Sequence, residues 1–311
     1  MFIFDAIFPV VAVAGLGYLA RARQLFSELE TNVIERIALW FLLPCLLFYG
    51  TATADFPETV DWNFLWGFYG VLLCVYALAM LAGRLLFRYS LRELSVFGMA
   101  GAYSNVTILG IPITLQLLGQ ASLVPMLMLI TVHNLIIYTV GTLLAEAQPE
   151  PGNSLGRHLL RIGRELLFNP VSGSLLAGAA WNLLGLGFAA AIAGTFELLR
   201  PAAIPASLFA LGAGLHRYHI RGAIAPASII VLLKLLVMPW LTWWVLRDWL
   251  QVDLLWARTA VMLSAMPVGI SVYVFSRRYR CCETAVATSI VLASLGAMVS
   301  ISVFVWLMEL A

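Results

Sequence analysis

Charge is scarce in this 311-residue chain: 11% of its residues are Asp, Glu, Lys or Arg, and 62% are hydrophobic. That shortage excludes a soluble globular domain, whose charged share runs at about 25%. Catalytic groupings are missing too. No paired carboxylates sit midway along an apolar run, and no Ser/His/Asp order or phosphate-cradling loop occurs, so the chain reads as a non-enzyme. Cysteine is sparse: Cys45 and Cys74 lie in apolar runs, and Cys281 and Cys282 are adjacent in a basic break. Neither pattern is a disulfide framework or a metal-ligand spacing, which leaves reduced packing thiols, no metal and no cofactor. The net charge of +2 is spread in loop-sized basic clusters, which excludes a nucleic-acid stripe.

What fills the chain is apolar sequence, with a mean hydropathy of +0.95. The apolar runs are separated by short polar breaks, and each reaches the roughly 20 helical residues that cross a hydrocarbon core of about 30 Å. They do not alternate, so helices and not a barrel are expected: an all-α integral membrane protein. Ten spans are read, near 2–20, 31–53, 64–86, 94–118, 122–145, 170–187, 197–216, 223–246, 256–276 and 284–309. The start, Met1-Phe2-Ile3-Phe4-Asp5, has no basic region or cleavage site and reads as a retained span. Arg21/Arg23, Arg84/Arg88/Arg92, Arg157/Arg161/Arg164, Arg217/Arg221 and Arg277/Arg278/Arg280 mark every second break as cytoplasmic. Both termini are therefore expected outside a multi-pass cell membrane protein.

The longest break holds Pro149, Pro151, Gly152 and Asn153 and then a basic segment. It divides the chain into residues 1–148, a cytoplasmic linker 149–168, and residues 169–311, with five spans in each half. An odd number per half inverts the second half in the bilayer, and internal similarity agrees with that. Pro9 and Pro170, and Pro44-Cys-Leu-Leu-Phe48 and Pro205-Ala-Ser-Leu-Phe209, match at one common offset. The fold class expected is thus ten helices in two inverted five-helix repeats.

Two spans are interrupted. The fourth carries Ser104-Asn105-Val106-Thr107-Ile108-Leu109-Gly110-Ile111-Pro112, and the ninth carries Ala265-Met266-Pro267-Val268-Gly269-Ile270-Ser271. Proline removes an intrahelical donor and glycine tolerates unwound dihedrals, so backbone groups are freed at mid-depth. Such groups are tolerated only where protein or a water-filled cavity satisfies them, which points to a midplane site formed by half-helix N-termini, an anion site without formal charge. Plain kinks are the alternative. Lys234 is the one charged residue near the middle of a span, costing at least about 2.5 kcal/mol on insertion scales. It reads as a carboxylate counter-ion, as a support bonding freed carbonyls behind the site, or as a side chain that snorkels or salt-bridges to a neighbouring helix. His133 and Asn134 lie midway along the fifth span, and His133 reads equally as a proton-coupling group or as a satisfied core histidine.

Taken together, these motifs resemble the auxin efflux carrier family of bacterial and plant membrane transporters, including the plant PIN-type carriers. The resemblance runs over essentially the whole chain. It rests on Asn105-x-x-x-x-Gly110-Ile111-Pro112 with Gly119, on Pro267-x-Gly269-Ile270-x-x-Tyr273-Val274-Phe275-Ser276-Arg277-x-Tyr279, on Asn169-Pro170, and on Leu211-Gly212-x-Gly214-Leu215. It implies a fold shared with bile-acid and sodium/proton transporters, in which broken helices 4 and 9 cross. Spans 1, 2, 6 and 7 would form a scaffold domain, spans 3–5 and 8–10 a transport domain, with elevator-type movement and a homodimer. The implied substrate site is Asn105, Gly110, Ile111, Pro112, Met266, Pro267, Gly269, Ile270 and Ser271, with His133, Asn134 and Lys234 in support or coupling. This chain has His133 where plant members carry glutamine, and Ser271 where many bacterial members carry Asn.

The function expected is secondary or potential-driven transport of a small organic anion, an auxin-like indole acid or a mono- or dicarboxylate, in the efflux direction. A sodium- or proton-coupled uptake carrier of the same fold and a non-transporting membrane sensor are the alternatives. The partners expected are the anion, the bilayer and a second copy of the chain.

Overall fold

The computed structural model describes residues 2–56, 61–147, 170–216 and 222–310, and these are helical apart from short connections and one isolated bridge. The linker 149–168 and the basic residues Arg157, Arg161, Arg164, Arg217 and Arg221 lie outside the described residues. The helices are α1 (Phe2–Ala22), α2 (Glu28–Ala52), α3 (Trp62–Phe87), α4 (Leu91–Ala102), α5 (Val106–Leu118), α6 (Gln120–Ala145), α7 (Pro170–Leu183), α8 (Ala190–Leu215), α9 (Ile224–Trp249), α10 (Leu254–Ser264), α11 (Ile270–Tyr279) and α12 (Glu283–Leu310). Among the described residues, α2, α3, α6, α8, α9 and α12 are long and apolar enough to cross a membrane, and α5 and α10 are shorter apolar helices.

Several boundaries differ from the expected spans, and side-chain caps explain two of them. Ser27 and Glu30 bond each other's backbone in a capping box, which starts α2 at Glu28 and not at 31. Ser90 and Glu93 do the same for α4, which starts at Leu91 and not at 94. The seventh span was expected from 197, but α8 begins at Ala190. Its first turns, Ala190 to Thr195, carry alanines and no helix breaker except Gly194, so they extend the helix.

Proline accounts for the wide, π-type turns. Pro44, Pro112 and Pro239 each lack the N–H that would bond the carbonyl four residues earlier, and each follows a π segment: Ala38–Leu42, Val106–Gly110 and Leu233–Val237. A fourth, Trp244–Trp249, has no such proline. The carbonyl orphaned by Pro239 is that of Leu235, and the Ser300 hydroxyl of α12 donates to it. A hydroxyl from a neighbouring helix thereby replaces the missing donor.

The chain forms two compact units: Met1–Val60 with Thr107–Thr131 and Glu165–Arg217, and Asp61–Val106 with Val132–Arg164 and Tyr218–Ala311. In the first unit, α1 and α8 approach so closely that a Cβ on Gly17 would lie 2.1 Å from the Phe209 carbonyl oxygen, and one on Gly212 only 1.8 Å from that of Ala14. Glycine at both positions allows backbone to pack on backbone. Asn182 of α7 caps the end of α2, its amide donating to Ala52 O at 3.0 Å and Ala54 O at 2.8 Å. The second unit has Phe64, Phe68, Phe97 and Met99 fully buried at its centre and holds both helix interruptions.

Candidate functional site

The interruptions fall at Tyr103–Asn105, between α4 and α5, and at Ala265–Gly269, between α10 and α11. The two segments run antiparallel and pair at Ser104 and Val268. Asn105 N–H donates to Pro267 O at 2.8 Å, and Gly269 N–H donates to Tyr103 O at 3.1 Å. Each break therefore satisfies part of the other's freed backbone, while the N–H and C=O groups of Ser104 and Val268 turn outward from the pair. Pro267 contributes the one backbone group it retains, its carbonyl. Gly269 is the N-cap of α11, which leaves the amides of Ile270 and Ser271 at a positive helix end.

Polar side chains without partners collect at this pairing. Asn105 is 6% exposed, and its carboxamide makes no hydrogen bond to a described residue. The Ser104 hydroxyl is completely buried and likewise unpaired. Buried polar groups are almost always bonded, so an amide and a hydroxyl left open at a helix break are groups that a ligand or water would complete.

Tyr103, which the motif reading did not single out, organises the rest. Its ring lies where a Cβ on Gly269 would be, 2.4 Å from both Cδ1 and Cε1, so Gly269 is required by close approach and not by its dihedrals. The Tyr103 hydroxyl donates to Asn134 Oδ1 at 2.7 Å. Its ring centroid is 5.2 Å from that of His133, which is 1% exposed and also borders Phe68 and Tyr69. His133 Nε2 has no hydrogen-bond partner. A signal was present in the sequence: aromatic residues with polar tips favour the ends of spans, and Tyr103 sits in the middle of one, directly before the break.

Lys234 is fully buried, and its ammonium donates to the carbonyl of Ser264, the last residue of α10, and to Met238 Sδ at 3.4 Å. A cation on the last carbonyl of a helix also meets the negative end of its dipole. Lys234 thus bonds the carbonyl at the end of α10, directly before the break. Lys234→Met is expected to leave the Ser264 carbonyl unsatisfied and to cost about 1–3 kcal/mol of stability, read as a lower thermal midpoint in detergent. An unchanged midpoint would refute the role.

Of the residues expected at the site, Asn105, Met266, Pro267, Gly269, Ile270 and Ser271 are brought to the paired breaks in the second unit, and His133 and Asn134 join them through Tyr103. Met266 is fully buried. Gly110, Ile111 and Pro112 belong to the first unit, on α5, and are not part of this pairing. Among the described residues, no group of three or more His, Cys, Asp or Glu side chains is placed to hold a metal ion.

The sequence pattern of one family, described as "Membrane transport protein", matches residues 2–305. A protein of Rhizobium meliloti strain 1021 named "Putative malonate transporter" is 25% identical over 303 residues, covering 97% of this chain and 95% of that protein. An "Uncharacterized transporter" of Methanothermobacter thermautotrophicus strain Delta H is 26% identical over 247 residues, covering 76% of this chain and 75% of its own.

Proposed function

Because this chain belongs to the membrane transport protein family, that of the auxin efflux carriers, and is a multi-pass membrane protein, we propose that it carries a small organic anion by alternating access around the paired breaks. The observation that carries the reading is Asn105: a carboxamide 6% exposed, unpaired, and directly preceding the N-terminus of α5. It supplies two N–H donors at the same pairing that holds the start of α11, while the buried ammonium of Lys234 is engaged by the Ser264 carbonyl. Neutral donors in a low-dielectric site bind a carboxylate without needing a fixed charge of their own.

The name of the Rhizobium relative favours a short dicarboxylate as the first substrate to try, with indole acids second. The proposal includes ten spans in two inverted repeats, with termini outside, a homodimeric scaffold built on α1, α2, α7 and α8, and elevator-type movement of the second unit. Direction follows from the membrane potential, which drives an anion outward by about 2.3 kcal/mol per charge per 100 mV. Export needs no coupled ion on this reading.

Asn105→Ala is expected to weaken substrate binding about tenfold, the worth of one hydrogen bond to a charged group, with little change in folded yield. Equilibrium binding of labelled malonate and indole-3-acetate to the purified protein measures it. Binding as tight as in the wild type would refute the assignment.

A further inference from the structure

We propose that Tyr103 is a positioning residue that aims the Asn134 amide at the bound anion, so that Asn134 is a second direct ligand. The inference rests on the anion-carrier reading and extends its site by one substrate contact and one support.

A tyrosine hydroxyl has one proton to give. At Tyr103 that proton goes to Asn134 Oδ1 at 2.7 Å. That donation places the oxygen end of the carboxamide against the tyrosine. Asn134 Nδ2 is left pointing elsewhere with both protons, and it makes no hydrogen bond to a described residue. Asn134 is only half buried, on a helix whose sequence around it is apolar, where an unsatisfied amide is costly. Tyr103 packs on Gly269 at the positive end of α11, and its hydrogen bond to Asn134 finishes in a donor. That polarity suits a carboxylate and repels a cation.

The ring of Tyr103 has a separate structural task against Gly269, and Phe retains it. Tyr103→Phe therefore removes the hydrogen bond and leaves the packing. The probes are labelled malonate and labelled indole-3-acetate, bound at equilibrium to purified wild type, Tyr103→Phe, Asn134→Ala and the double variant. For the probe that the wild type binds, each single variant is expected to weaken binding about tenfold, with the melting midpoint lowered by no more than the loss of one buried hydrogen bond. The double variant is expected to bind no more weakly than Asn134→Ala alone, because Tyr103 acts only through Asn134.

Wild-type affinity in Tyr103→Phe, or full additivity in the double variant, overturns the inference while leaving the carrier reading in place. If Tyr103→Phe does not fold, Asn134→Asp decides: it keeps an acceptor for Tyr103 and replaces the amide donor with oxygen, so undiminished binding overturns the proposal. A folded wild type that binds neither probe at millimolar concentration overturns the carrier reading and this inference together.

Discussion

Gly269→Ala is expected to reduce transport roughly a hundredfold, the largest functional effect of any single methyl group in the second unit. The added Cβ would lie 2.4 Å from two ring carbons of Tyr103 and 3.2 Å from Ser104 O. The ring cannot simply swing aside, because its hydroxyl is held by Asn134 and its face by His133. Either the two breaks separate, losing the Asn105–Pro267 and Gly269–Tyr103 hydrogen bonds, or Tyr103 leaves its rotamer and releases Asn134. Both outcomes damage the site, and overpacking adds about 1–3 kcal/mol of destabilisation. Uptake of labelled malonate into proteoliposomes is the measurement. Transport by Gly269→Ala at the wild-type rate would show that the pairing of the breaks is not needed.

The largest effect on folding is expected in the first unit, from Gly212→Ala. Its Cβ would meet the Ala14 backbone at 1.8 Å to O, 2.6 Å to C and 3.0 Å to Cα. A side chain can rotate away from such a contact, but a helix backbone cannot, so α1 and α8 must move apart along their length. The reciprocal contact of Gly17 with Phe209 O would be lost with it. A cost of about 3 kcal/mol or more is expected, at the upper end for overpacking. Monodisperse yield and thermal midpoint in detergent measure it. Gly15→Ala and Gly214→Ala are the internal controls, since a Cβ at either meets nothing within 4 Å. A Gly212→Ala protein that melts with those controls would refute the close approach.

Much of the helical layout was legible because apolar runs of span length and the breaks between them are themselves the physical signal. Pro267, Gly269 and the Ser104-Asn105 pair located both interruptions, for the same reason that they create them. Helix starts were less legible: the capping boxes at Ser27 and Ser90 were present as Ser-x-x-Glu but fell in polar breaks, where hydropathy has nothing to say. Tyr103 was overlooked because its role depends on contacts with Gly269 and Asn134, which are far from it in sequence and from each other. Lys234 could be recognised as anomalous from its depth alone, but only the Ser264 carbonyl shows what its ammonium meets. Gly110, Ile111 and Pro112 were grouped with Asn105 by the family motif, and they lie on α5 in the first unit.

The wide turns bear on how the chain tolerates changes in length. A π segment holds one more residue than an ordinary helical turn between the same two faces, so dropping one residue from Leu233–Val237 would leave the residues on either side in phase. The same deletion elsewhere in α9 would rotate everything beyond it by about 100° and carry Lys234 or its neighbours off their partners. Single-residue length differences among relatives of this chain are therefore expected at Ala38–Leu42, Val106–Gly110, Leu233–Val237 and Trp244–Trp249, and to be rare in the regular turns between them.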